Sequence, residues 1–143
     1  MKNYKLLQKI DRSVQVFRRS GIYARMETEL TDADIMVLFC IRFNSEEAHV
    51  KLTDIAKTLG VTLPAITHKV NDLEKMDYLA KEASTVDLRV THILLTNKGK
   101  EYVDSIKDSY YKPIEILMDR LGEEDTETFL RLLEKMTKAG KLK

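Results

Sequence analysis

The chain has 143 residues, one domain's worth of polypeptide or one domain with arms. Five Gly, two Pro, no Trp and a single Cys exclude collagen-like, low-complexity and disulfide-scaffold classes, and a lone cysteine suits a reducing compartment. The net charge of +1, from 24 basic and 23 acidic side chains, argues for no partner by itself. Residues 1–30 hold seven basic against three acidic side chains, residues 31–49 one against four, and residues 50–96 six against six. A phosphate-binding surface must therefore come from local placement rather than gross excess. No apolar run reaches the roughly 18 residues of a membrane span, and the N-terminus has no signal-peptide core. A cytoplasmic protein is expected.

In chain order, Leu7, Ile10, Val14 and Phe17 recur at spacings of three and four, which predicts a helix from about Lys2 to Arg19. Ser20-Gly21 weakens it before Ile22, Tyr23 and Met26. Thr31 reads as an N-cap with Asp34 three residues on. The unbroken apolar run Ile35–Ile41 behind it predicts a helix packed on most sides. Residues 44–48 read as a loop and Val50–Leu52 as a short strand. Thr53 is the next N-cap candidate, for a short helix Asp54–Leu59 that Gly60 ends. Thr62 caps another helix, with Pro64 in its first turn and Ile66, Val70 and Leu73 as its core stripe, to about Met76. Tyr78–Lys81 and Val90–Leu95 read as the strands of a hairpin with a long polar tip. Thr96 caps a long helix that Pro113 is expected to kink or interrupt near Lys112 and that Gly122 ends, and a last helix runs from about Glu123 to Ala139.

Residues 53–76 thus carry a helix-turn-helix, and the hairpin directly after it makes the order that of a winged helix. Leu30-Thr31 and Leu38, the run Leu52–Thr62, Ile66-Thr67, Val70, Leu73-Glu74, Asp87 and Arg89, and Leu95-Thr96 with Gly99 occur in the order seen in one known family. Over about residues 30–100 the chain resembles the MarR family of bacterial winged-helix transcription regulators. The fold expected is mainly α, a winged helix-turn-helix flanked by dimerisation helices. The domains expected are an N-terminal dimerisation helix at 1–30, a DNA-binding domain at 31–96 and C-terminal dimerisation helices at 97–143.

What the resemblance implies is a regulator, a repressor as the first expectation. It would act as a homodimer on a pseudo-palindromic stretch of double-stranded DNA and be released by a small-molecule effector. The DNA-binding candidates are Thr62, Leu63, Pro64, Ala65, Thr67, His68 and Lys69 on the second helix of the motif, with Asp87 and Arg89 in the wing. Leu63 and Ala65 suit thymine methyls; Thr67 and His68 suit base edges or phosphates. Thr62 is an N-cap first and a DNA contact second. Arg89 either enters the minor groove, steered by Asp87, or simply pairs with it. Lys51, Lys57, Lys69 and Lys81 are phosphate contacts or solvated surface residues. The chain departs from the family in the turn, where Asp77 replaces the usual Gly, and in the wing, which has one Arg where two are common. Phe17, Tyr23, Tyr110 and Tyr111 either line an effector cleft or serve as core and dimer contacts.

Cys40, inside an apolar run with no Lys or His beside it, reads as a buried, inert thiol. His49, His68 and His92 are scattered, and Glu46, Glu47 and His49 would need ligands from distant parts of the chain. No metal or cofactor is expected. No phosphate loop, nucleophile elbow or metalloprotease motif is present, so no catalytic residue is expected and the chain does not read as an enzyme. The rival reading is a winged-helix protein-interaction module without specific DNA binding, favoured by the neutral balance of residues 50–96.

Overall fold

The computed structural model describes residues 1–24, 27–44 and 50–138. The chain divides into two compact units, Glu27–Asp108 and the pair of segments Met1–Met26 and Ser109–Lys143. The elements are α1 (Tyr4–Arg19), α2 (Asp32–Asn44), β1 (Val50–Lys51), α3 (Leu52–Leu59), α4 (Leu63–Lys75), β2 (Leu79–Ala83), β3 (Thr91–Leu95) and α5 (Asn97–Lys138). The fold is mainly helical with one small antiparallel sheet in the order β1-β3-β2.

In the unit Glu27–Asp108, α2 begins at a reciprocal cap. The Asp34 N–H donates to Thr31 Oγ1 at 3.2 Å, and the Thr31 N–H donates to Asp34 Oδ2 at 3.1 Å. Six of the seven residues from Ile35 to Ile41 are buried, Met36 being the exception. Such an all-round apolar helix belongs inside a unit. Cys40 is buried with them. Ile35, Leu38, Ile55, Val70, Leu73, Leu79, Ile93 and Val103 form the centre of the core. Burial of their side chains, at about 1.5–3 kcal/mol each, dominates the stability of this unit.

The start of α3 differs from expectation. The helix begins at Leu52, straight from β1, so Lys51 is its N-cap and Thr53 is already helical. The Lys51 N–H finds its acceptor in Asp54 Oδ2 at 3.2 Å instead. The helix closes at Gly60, φ 67°, a left-handed position that costs an L side chain energy. Val61 N–H then reaches the Ala56 carbonyl and Gly60 N–H the Lys57 carbonyl. The same motif ends α4 through Asp77 at φ 68°, with Tyr78 N–H on the Leu73 carbonyl and Asp77 N–H on the Glu74 carbonyl. Thr96 Oγ1 donates to the Asp77 carbonyl at 2.6 Å and Lys98 Nζ to the Met76 carbonyl at 2.7 Å, clamping this turn to the start of α5.

The hairpin strands lie slightly later than the alternation suggests. Tyr78 is outside β2 because its backbone closes the turn after α4 and takes the Thr96 N–H. The register pairs Leu79 with Leu95, Lys81 with Ile93 and Ala83 with Thr91; β1 adds Val50 opposite Ile93.

In the unit of Met1–Met26 and Ser109–Lys143, Asn3 caps α1 by accepting the Leu6 N–H at 3.1 Å. Helix α1 has a strong apolar stripe but no buried residue. Its Leu7, Ile10, Val14 and Phe17 stay exposed, as do Phe129, Leu130, Leu133 and Met136 of α5. The interruption expected at Pro113 is not there. Helical geometry continues through it, and the break falls at Gly122, φ 79° and ψ 172°. Proline removes one N–H donor and fixes φ at a helical value, which a long helix with support on both sides tolerates.

Candidate nucleic-acid interface

Helix α4 buries Ile66, Val70 and Leu73 and turns its opposite side to solvent. Thr62 Oγ1 accepts the Ala65 N–H at 3.3 Å, so its hydroxyl serves as the N-cap. Pro64 sits in the first turn, where no donor is lost. Leu63, Pro64, Ala65 and His68 are exposed, and Thr67 is half-buried with its hydroxyl donating to the Leu63 carbonyl at 2.8 Å. His68 Nε2 lies 3.3 Å from Asp72 Oδ2 one turn on.

Lys69 stands apart from this group. Its ammonium lies 3.0 Å from Asp34 Oδ1, at the flank of α4 that faces α2. Burial pushes the Asp34 carboxyl up, but hydrogen bonds from Lys69 and Thr31 outweigh it and hold the group below the ordinary carboxylate range. Lys69 therefore anchors α4 within the unit.

The wing loop is built by two short side chains. Ser84, itself buried, accepts the N–H groups of Val86 and Asp87 on its Oγ, both at 3.2 Å. Ser84 N–H donates to the Val90 carbonyl and Val90 N–H to the Asp87 carbonyl, each at 2.9 Å. Asp87 takes the Arg89 N–H at 3.0 Å and grips the guanidinium on both oxygens, Nε–Oδ1 at 3.1 Å and Nη2–Oδ2 at 3.2 Å. The Arg89 side chain is 90% exposed despite that grip. These bonds hold the Asp87 carboxyl below its usual range. Val86 and Leu88 flank the pair and are almost fully exposed.

Sequence reading missed Asn71 here, and took Lys81 for a phosphate contact or a solvated surface residue. Asn71 shares the outer side of α4 with Thr67 and His68, and Lys81 of β2 hydrogen-bonds its Oδ1 while lying 3.4 Å from Glu74 Oε1. The spacing of four from Thr67 to Asn71 was the available signal; the Lys81 contact had none in the sequence. Lys51 and Lys57 are exposed.

The aromatic candidates separate. Phe17 and Tyr23 line an apolar groove of about 630 Å³ with Leu117, Leu121, Phe129 and Leu133. Thr126 also lines it, its hydroxyl buried and without a hydrogen-bond partner. Tyr110 and Tyr111 are not among its lining residues; they meet edge to face at 5.7 Å, and Tyr110 is buried. Glu46, Glu47 and His49, with the loop at 45–48, lie outside the described residues. Among the described residues no group of three or more His, Cys, Asp or Glu is placed to hold a metal ion, and no helix is long and apolar enough to cross a membrane.

The profile of the family described as "Transcriptional regulator SarA/Rot" matches residues 23–106. The chain is 23% identical over 104 residues to "HTH-type transcriptional repressor YetL" of Bacillus subtilis, a match that covers 73% of this chain and 62% of that protein. Among solved structures, a MepR–DNA complex of S. aureus superimposes with a TM-score of 0.68 at 20% identity, covering 98% of this chain and 99% of that one. The PcaV regulator of Streptomyces coelicolor, solved with its natural ligand, gives 0.71 at 17% identity, covering 92% of each chain. The family is one of transcriptional regulators rather than enzymes. The match over residues 23–106, more than half of the chain, settles its kinship: it belongs to the SarA/Rot family of transcriptional regulators, with the winged-helix fold of the MarR type that its sequence resembles.

Proposed function

We propose that this protein regulates transcription, as a repressor, by binding double-stranded DNA as a homodimer in the cytoplasm. In this reading residues 31–96 bind DNA and residues 1–30 and 97–143 supply the dimer contacts. The observation that carries it is the solvent-facing side of α4, Leu63, Pro64, Ala65, Thr67 and His68, in one unit with a wing that holds Arg89 outward on a closed loop. A helix with that face suits a major groove, and an exposed, oriented guanidinium suits the adjacent minor groove. Thr62 is occupied as a cap and Lys69 by Asp34, so both serve the placement of α4 rather than the bases. The capture of MepR on DNA supports DNA as the partner of this fold.

The exposed stripe of α1 and the apolar groove beside Phe17 support a second copy as the other partner. A contiguous apolar surface of this kind marks an interface, and a twofold pair would set two α4 helices about 34–36 Å apart on a pseudo-palindromic site. An effector is the finer part of the proposal, supported by the ligand-bound PcaV structure. Such a ligand acts only by binding one separation of the two wings better than another.

The test is fluorescence anisotropy of the purified protein against labelled DNA from its own upstream region, across a salt series. Tight binding that exceeds binding to scrambled DNA and falls steeply with salt is expected, because phosphate contacts release counterions. Binding without salt dependence or sequence preference sinks the reading. It would favour the rival interaction module, for which the equal charges of residues 50–96 speak.

A further inference from the structure

The tip of the wing is tied shut, yet it shows its apolar side chains to water. The Asp87 carbonyl accepts the Val90 N–H at 2.9 Å, so Asp87–Val90 is a four-residue turn with Leu88 and Arg89 at its two corners. The Asp87 carboxylate takes the Arg89 N–H, and Ser84 Oγ takes the N–H groups of Val86 and Asp87. On this fixed backbone Leu88 is 83% exposed, beside an equally exposed guanidinium. Val86 is exposed too, but it stands before the turn, outside its corners. Arg89 spends two N–H groups on Asp87, which leaves three of its five donors without an acceptor among the described residues.

The surface that meets this tip must suit a leucine and a guanidinium at once. A protein pocket deep enough to bury Leu88 would also have to desolvate the charge next to it. The minor groove of DNA satisfies both, with acceptors on its floor for the arginine and apolar base faces for the leucine. The wing is also held to α4, because Lys81 of β2 hydrogen-bonds Asn71 and lies 3.4 Å from Glu74 Oε1. A leucine in the groove is covered on both faces only where two base pairs part to admit it. Burying one leucine returns about as much as unstacking one step costs, so the step itself decides the balance. Pyrimidine–purine steps open easily and A-tracts do not.

We infer that Leu88 is a wedge, which enters between two adjacent base pairs beside Arg89, partly unstacks them and bends the duplex. It is a specificity-determining residue that selects a flexible pyrimidine–purine step in each half-site without a hydrogen bond to any base. The inference rests on the wing entering the minor groove, as proposed above, and adds a deformation of the DNA and the side chain that drives it.

The test uses a duplex selected from randomised DNA by the full-length protein. 2-Aminopurine, whose fluorescence rises when it is unstacked, replaces adenine at each pyrimidine–adenine step in turn, and end-to-end energy transfer reports the bend. The wild type should raise the fluorescence several-fold at one step per half-site and bring the duplex ends closer. Replacing that step by a stiff AA step should weaken binding about tenfold. Leu88→Ala should abolish the fluorescence rise and the step preference and lower affinity about tenfold, with an unchanged thermal midpoint. Leu88→Met, long and apolar, should keep all three. Specific binding by anisotropy with no fluorescence rise at any step, or a rise that persists in Leu88→Ala, overturns the inference while DNA binding stands. Wild-type affinity in Leu88→Ala also overturns it, and leaves the tip to a protein partner. Failure of the wild type to select any sequence overturns the DNA-binding reading and this inference with it.

Discussion

At the residue scale the wing and the turn before it make opposite demands on stability. Arg89 is gripped by Asp87 but almost fully exposed, and an exposed ion pair contributes little to folding. Arg89→Ala should therefore leave the thermal midpoint and the dimer unchanged. It should weaken DNA binding about tenfold, the scale of one hydrogen-bonded charge. Equal affinities in a binding titration would remove the wing from the interface. Asp77 is the reverse case. It sits at φ 68°, where only glycine is unstrained, and its contacts to Glu74 and Thr96 are made by its backbone. Asp77→Gly should keep those bonds and stabilise the fold by about 1 kcal/mol, or roughly 4 °C in a thermal melt. A lower midpoint would mean that the Asp77 side chain contributes something the backbone does not.

At the scale of elements, the tie between α4 and α2 is a single ion pair whose strength follows pH. The Asp34 carboxyl lies below its ordinary range in the folded protein, so its contribution is complete above the unfolded value and is lost as pH falls through the folded one. Lys69→Met should cost about 1–2 kcal/mol near neutral pH. The gap between variant and wild type in urea melts should close below about pH 4, as Asp34 takes up a proton. A gap that does not depend on pH would assign the loss to packing rather than charge. This pair also shows where sequence reading ran out. Thr31, Thr62 and Thr96 were legible as caps, and Gly60 as a helix stop, because each acts on neighbours three to five residues away. The Lys69–Asp34 and Lys81–Asn71 contacts join residues 35 and 10 positions apart in the chain and have no periodic signature. The start of α3 was misplaced for a related reason. Thr53 is the better cap by residue type, but β1 pairs with β3 and delivers the chain into the helix two residues earlier. At Pro113 a local rule, that proline breaks helices, gave way to the helix around it, and the break falls at Gly122, where the sequence reading ended this helix.

At the scale of the whole molecule, the exposed apolar face of α1 argues for association. Ile10→Glu, in the middle of that face, should convert a dimer into a monomer by sedimentation velocity and leave the core of residues 27–108 folded. A dimer that survives Ile10→Glu would move the interface elsewhere. The amphipathic spacing made this face visible before any coordinates, whereas the groove beside Phe17 needed Gly122 to bring both parts of α5 around it. The lack of any buried side chain on α1 has a further consequence. Sixteen residues of helix with no buried side chain are only marginally stable in water, whatever their caps. The order of α1 is then a property of the protein's concentration as much as of its sequence. Dilution should lower the helical signal in circular dichroism before the unit Glu27–Asp108 melts, and the dose of regulator in a cell would set not only how many operators are filled but how much of each chain is folded.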